Sequence, residues 1–161
     1  MLLLVLFHFV RHRPLKKLET WTPKVTAFLG LTLSLGVLLL PRAAGDPLSD
    51  SVSVLLILAG NIMCISALMT LGRSISIMPE ARKLVVDGIY RRIRHPLYLA
   101  EEIALIGVFL QFRSWSAAAV LGVHLAFQLG RIYWEEKILI ETFPQYIEYR
   151  NRTHRLIPGI Y

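Results

Sequence analysis

The sequence predicts an all-α fold, a polytopic bundle of transmembrane helices. Three observations predict it. Hydrophobic residues make up 55% of the 161 and charged residues only 18%, and mean hydropathy is +0.53. The apolar residues are gathered into runs, not spread at the spacing of an amphipathic surface helix. Positive charge alternates between one set of connecting segments and the other. The net charge of +7 sits mostly between the runs. A basic membrane face beside anionic headgroups accounts for it without nucleic acid.

The first run, Leu2 to Val10, is too short to cross a hydrocarbon core of about 30 Å as a helix. Arg11, Arg13, Lys16 and Lys17 follow it, whereas a signal peptide carries its charge in front. It reads as a short apolar helix, either an interfacial anchor or the tail of a helix that begins upstream. The second run extends from Trp21 to Leu40, with Pro23 near its first turn and Pro41 just past its end. The third extends from Ser51 to Leu71, with Gly72 as its C-cap. A polar, basic segment from Arg73 to His95 separates it from the fourth, Pro96 to Phe112. After a turn at Arg113 and Ser114, the fifth covers Trp115 to about Tyr133, and a polar tail that reads as helical closes the chain. This gives about four full transmembrane helices in a single membrane domain, 1–161.

Arginine and lysine set the orientation. The segments around Arg11 to Lys24, Arg73 to Arg94 and Arg131 to Arg155 are basic, while the two opposite turns hold only Arg42 and Arg113. The long loop and the tail are therefore expected on the cytoplasmic side. The single cysteine, Cys64, excludes an intrachain disulfide and a cysteine-based zinc site, and reads as a small packing residue. No His/Cys spacing suits a metal, no phosphate loop is present, and a Rossmann-type domain has no room.

Two places could carry chemistry. Pro96 suits the first position of a helix, whose free N–H groups beside Arg94 and His95 would form an anion site. The plainer reading is that these arginines meet lipid phosphates. Glu101 and Glu102 read as first-turn carboxylates that complement the dipole. In the fifth run, His124, Gln128, Arg131 and Glu135 recur at spacings of four, three and four, on one helical face. Groups like these at membrane depth should face the bundle interior or a wet cavity. His124 alone could be a satisfied interhelical hydrogen bond, and Arg131 with Glu135 an ordinary i,i+4 pair. Tyr90, Tyr98, Tyr133, Trp134, Tyr146 and Tyr149 gather at the same face, as an interfacial belt or as a cage for a cationic ligand.

The stretch KLVVDGIYRRIRHPLYLAEE, followed by RIYWEEKILIETFPQYIEYRNRTHRLIPGI, resembles the isoprenylcysteine carboxyl methyltransferase family. That family sits in a superfamily of membrane methyltransferases that includes phospholipid N-methyltransferases. The pieces are LV-x-x-G-x-Y, RHP-x-Y, the paired glutamates, F-x-x-Y-x-x-Y and the closing IPG. The resemblance covers about Leu71 to Ile160 and makes 73–161 the cofactor-binding methyltransferase core behind the N-terminal helices of 1–72. It implies a cytoplasmic pocket for S-adenosylmethionine at Arg82, Lys83, Leu84, Val85, Tyr90, His95, Pro96, Leu97, Tyr98 and Glu135. It makes Arg131 the residue that addresses the acceptor's carboxylate. Ala100 stands where the family usually has glycine, and Arg82 where its eukaryotic members tend to have histidine.

The expected function is S-adenosylmethionine-dependent methylation of a lipophilic acceptor, with a carboxylate as the reacting group. Arg131 and Glu135 are the expected catalytic residues, and Arg131, Gln128 and His124 the expected acceptor contacts. Methyl transfer asks chiefly for alignment in a dry site. A carboxylate nucleophile needs no base, whereas an amine must lose a proton, for which Glu136 and His124 are the nearby candidates. A phospholipid amine is the alternative acceptor. A sterol-reductase-like protein or a non-catalytic membrane subunit are alternatives of another class. Membrane lipids and the lipophilic acceptor are the expected partners, with no nucleic acid and no metal.

Overall fold

The computed structural model describes residues 14–17, 20–74 and 80–159. The first apolar run lies outside the described residues. Five α-helices make up most of the chain: α1 (Trp21–Thr32), α2 (Pro47–Leu71), α3 (Pro96–Phe112), α4 (Trp115–Thr142) and α5 (Tyr146–Arg152). A two-residue antiparallel ladder, β1 (Lys16–Lys17) against β2 (Glu80–Ala81), was not expected. It straps the segment before α1 to the loop before α3, helped by Leu15 N–H donating to the Ala81 carbonyl at 2.7 Å.

The second apolar run is not one α-helix. α1 stops at Thr32 and a 3₁₀ helix carries on from Leu33 to Leu39. Twelve α residues and seven 3₁₀ residues still span about 32 Å. The tighter segment seats Val37 against Phe112 and Ala117.

α2 starts four residues before the predicted Ser51. Asp46 is its N-cap, accepting from Ser49 N–H at 2.9 Å, and Pro47 occupies the first turn. Gly72, at φ 50°, ends it as expected. Its 25 residues make it the helix long and apolar enough to cross a membrane, among the described residues. Much of its outer surface is exposed leucine, isoleucine and methionine, such as Leu58, Ile62 and Met69.

α2 and α3 run antiparallel at close range because small residues meet. Ser53 donates to the Gly107 carbonyl at 2.7 Å and accepts from Gln111 at 3.0 Å. A Cβ on Gly60 would lie 2.7 Å from the Ala100 carbonyl oxygen and from the Ala104 nitrogen. Without a hydrophobic drive between helices in lipid, such contact is what holds them together. α3 ends at Arg113 in the left-handed region, and that side chain ties the turn to Asp46 at 2.6 Å. At 17 residues α3 is about 25 Å long.

Ser114 caps α4 by accepting from Ala117 N–H. α4 does not stop near Tyr133 but continues to Thr142, so the predicted polar tail begins as a helical extension. α1 lies antiparallel along α4, with Gly30 pressed against Arg131. The bundle therefore interleaves its first and second halves, α1 on α4 and α2 on α3. The interleaving brings the polar face of α4 inside.

Candidate functional site

The buried side of α4 is polar. His124, Gln128 and Arg131 are each at most 7% exposed, so the bundle must supply their partners. α3 does so with the paired glutamates. Gln128 donates to Glu101 at 2.5 Å, Arg131 donates to Gln128 at 2.7 Å, and Arg131 lies 3.6 Å from Glu101. Glu102 Oε1 lies 3.2 Å from His124 Nε2, out of line for a hydrogen bond. Glu101 and Glu102 are thus not first-turn dipole partners. With Pro96 as the first residue of α3, the first turn holds no acid, and the pair falls one turn later, turned toward α4.

Arg131 and Glu135 are not joined as the i,i+4 pair that their spacing allowed. Arg131 lies over the Tyr98 ring, 4.7 Å from its centroid, and the Tyr98 hydroxyl donates to Glu135 at 2.7 Å. One helical face of α4 is split between two partners on α3, the glutamates and the tyrosine.

A second cluster centres on Glu136, beyond the apolar stretch of α4. Its Oε1 accepts from Arg94 Nε at 3.0 Å and lies 3.2 Å from His95 Nε2, while Oε2 lies 3.1 Å from Arg155. Burial pushes this carboxyl up, but His95, Arg155 and Arg94 outweigh it and hold it down at about 2. A carboxylate so fully engaged cannot serve as a base. Arg94 also donates to the carbonyls of Arg150, at 2.8 Å, and Thr153. Arg94 and His95 therefore clamp the C-terminal segment instead of standing free as an anion site. Their backbone N–H groups are likewise taken by His154 and Arg155 carbonyls.

The expected cofactor residues fall into three groups. Tyr90, His95, Leu97, Tyr98 and Glu135, joined by Arg131, line one hollow of about 60 Å³. Lys83, Leu84 and Val85 line a second, of about 230 Å³. Leu71 and Ser74 border both, so the hollows adjoin. Pro96 and Arg82 border neither: Pro96 is packed at the start of α3, and Arg82 is buried against Glu80 at 2.5 Å. Glu80, which sequence reasoning missed, lines the first hollow. Nothing local marks it, because only the strand pairing carries it there.

A third cavity, of about 260 Å³, lies among α1, α2, α3 and α4. Glu101 and His124 stand among Gly60, Asn61, Cys64 and Ala104 on its wall. Glu101 borders this cavity and Arg131 the first hollow, so the chain Glu101–Gln128–Arg131 forms the partition between them. The aromatic residues also divide. Tyr90, Tyr98, Tyr146 and Tyr149 are buried, with Tyr149 donating to the Tyr90 carbonyl at 2.7 Å, while Tyr133 stays exposed beside Trp134.

Residues 53–141 match the family model described as the isoprenylcysteine carboxyl methyltransferase (ICMT) family. Three curated proteins illustrate the similarity. Protein-S-isoprenylcysteine O-methyltransferase B of Arabidopsis thaliana is 34% identical over 112 residues, 65% of this chain and 57% of that protein. The cobalt-zinc-cadmium resistance protein CzcN of Cupriavidus metallidurans is 32% identical over 78 residues, 48% of this chain and 36% of its own. The nickel-cobalt-cadmium resistance protein NccN of Alcaligenes xylosoxydans xylosoxydans is 28% identical over 82 residues, 50% and 38%. The matched part of the chain thus spans between about a third and somewhat over half the length of these relatives.

Proposed function

The chain belongs to the isoprenylcysteine carboxyl methyltransferase family, and from that premise we propose that it is a membrane methyltransferase that uses S-adenosylmethionine to methylate a lipophilic acceptor. The observation that carries this reading is the convergence of Tyr90, His95, Leu97, Tyr98 and Glu135 on one hollow. They come from the 3₁₀ turn Gly88–Arg91, the start of α3 and the far part of α4, and they are the positions at which the family resemblance puts the cofactor.

The residues fit the cofactor's chemistry. Glu80 and Glu135 offer carboxylate acceptors to its amino and ribose groups, the Tyr90 and Tyr98 rings suit a sulfonium, and Lys83 in the adjoining hollow suits its carboxylate. Once bound, the cofactor supplies an electrophilic methyl group. The protein's share is alignment and the exclusion of water. The Tyr98–Glu135 bond and the Arg131 contact over the Tyr98 ring fix three of these groups relative to one another, and the apolar cavity behind the partition suits the acceptor's tail.

Four crossings, with the cofactor side cytoplasmic, agree with the basic residues at that end of the bundle: Lys83, Arg91, Arg92, Arg150 and Arg152 against Arg42 and Arg113 at the other. The family's name gives a carboxylate as acceptor, with Arg131 to orient it. A lipid amine is the second reading, and one observation favours it: Glu101 already lies 3.6 Å from Arg131.

The test is calorimetric titration of purified, detergent-solubilised protein with S-adenosylmethionine. Saturable binding that weakens in Glu135→Gln is the expected result. A well-folded preparation with no binding overturns the proposal and returns a non-catalytic membrane subunit, or NADPH binding a reductase.

A further inference from the structure

Glu80 is held between two cations of unequal weight. Arg82 follows β2 directly, and its Nη2 donates back to Glu80 Oε2 at 2.5 Å. The Arg82 side chain is 2% exposed and the Glu80 side chain 11%. Lys17 stands opposite Glu80 in the ladder and lies 3.5 Å from its Oε1, but is 59% exposed. An exposed cation such as Lys17 is screened and adds little. A buried guanidinium is different, because a carboxylate that swung away would leave its charge unpaired and out of water. Arg82, not Lys17, therefore fixes Glu80, and it does so while bordering neither hollow itself.

Glu80 lines the first hollow and Lys83 the second, and Leu71 and Ser74 border both. One short stretch of chain thus offers a carboxylate and an ammonium to adjoining spaces. A ligand that carries both charges, such as an α-amino acid, asks for that pairing. An α-ammonium brings three donors and a carboxylate brings acceptors only, so Glu80 suits the first and Lys83 the second, each through a charge-assisted bond. The other side of the first hollow offers less. Glu135 already accepts from Tyr98. Arg131 is engaged with Gln128 and Glu101, and Arg94 with Glu136 and the tail carbonyls.

We propose that the β2 segment reads the amino-acid end of S-adenosylmethionine. Glu80 binds the α-ammonium, Lys83 faces the α-carboxylate, and Arg82 is a positioning residue that acts through Glu80. This rests on the methyltransferase reading. It gives Arg82 a different part from the direct cofactor contact that the family resemblance implies, and it leaves the ribose to Glu135.

Two ligands test the idea: S-adenosylhomocysteine, and its analogue with hydrogen in place of the α-amino group. Both are titrated by calorimetry into the full chain in detergent micelles. Wild type should bind the analogue about ten- to a hundredfold more weakly. Glu80→Gln should bind the two within about threefold of each other. Arg82→Gln should lose the same discrimination, and in the double variant should add less than about threefold to Glu80→Gln. An Arg82 that merely supports the fold would weaken both ligands alike and add in full. Arg82→Lys keeps the charge without the fork and should restore part of the discrimination. It also replaces Arg82→Gln if circular dichroism shows that variant unfolded. Lys83→Ala should weaken both ligands, which share the carboxylate, and leave their ratio unchanged. Undiminished discrimination in a folded Glu80→Gln variant overturns the proposal, as does an Arg82→Gln effect equal for the two ligands. Wild-type binding with no preference for the amino group defeats this proposal alone. A folded wild type that binds neither S-adenosylhomocysteine nor S-adenosylmethionine defeats the methyltransferase reading, and the proposal with it.

Discussion

The Tyr98 hydroxyl donates to Glu135 across 2.7 Å, joining the first turn of α3 to the far part of α4. The same tyrosine carries Arg131 on its ring face. Tyr98 is 9% exposed, so this bond is made where water cannot easily replace it.

Tyr98→Phe separates these two roles. The ring stays under Arg131, while Glu135 loses its donor. A hydrogen bond to a charged group contributes about 1.5–3 kcal/mol, so binding of S-adenosylmethionine should weaken by about ten- to a hundredfold. Helical content should not change. Calorimetry alongside circular dichroism checks both. Tyr98→Ala, which removes the cation–π partner as well, should be worse on each measure.

Glycine positions give a test of the bundle itself. A Cβ on Gly60 would meet backbone atoms of α3 at 2.7 Å, and backbone cannot step aside as a side chain can. Gly60→Ala should lower thermal stability by about 1–3 kcal/mol through overpacking. Gly122, in α4, has open space around it, and Gly122→Ala should raise stability by up to about 1 kcal/mol. Thermal unfolding in one detergent compares the two.

Gly30→Ala should act on function more than on fold. The added methyl would lie 2.6 Å from Arg131 Cδ, and that side chain can shift where backbone cannot. The shift would disturb the contacts of Arg131 with Gln128 and the Tyr98 ring. Displacements near 1 Å cost up to about a hundredfold in a positioned reaction, so methyl transfer should fall by about ten- to a hundredfold while the melting temperature changes little. A melting temperature that falls as far as in Gly60→Ala counts against this division of roles.

The polar stripe of α4 was legible because helical spacing and membrane depth act together: three of its four members are buried. The partners were not. Whether Glu101 and Glu102 fall in the first turn or the second depends on where α3 begins and how it is rotated, and only packing against α4 settles the rotation. Arg94 and His95 read as a free cationic pair because their partners, Glu136 and the carbonyls around Thr153, lie some forty to sixty residues further on. No local pattern announces such a pairing. The extension of α4 past Tyr133 was hidden for another reason. WEEKILIET is polar enough to read as the end of a membrane run, yet Glu136 and Ile138 are both buried, Glu136 beside Arg155 of the tail, and the helix persists. The β1–β2 ladder, two residues per strand, is below what alternation can signal.

Glu136 gives a prediction in pH. Its carboxyl is held at about 2, below the ordinary 4.5, so the folded state binds this proton less readily than the unfolded chain does. Stability from the cluster is therefore fully present above about pH 4.5 and is lost as pH falls from there toward 2. The wild-type melting temperature should drop over that window more steeply than that of Glu136→Gln, which has no carboxylate to protonate. At neutral pH the order reverses in size: the variant should be clearly less stable, because it leaves Arg94, His95 and Arg155 around a neutral amide. It should also loosen the C-terminal segment first. Hydrogen exchange at Arg94, His95 and His154, whose N–H groups hold that segment in place, should speed up well before the α2–α3 pair opens. Parallel slopes for the two proteins between pH 5 and 2 would mean that Glu136 is not the group whose charge holds the tail.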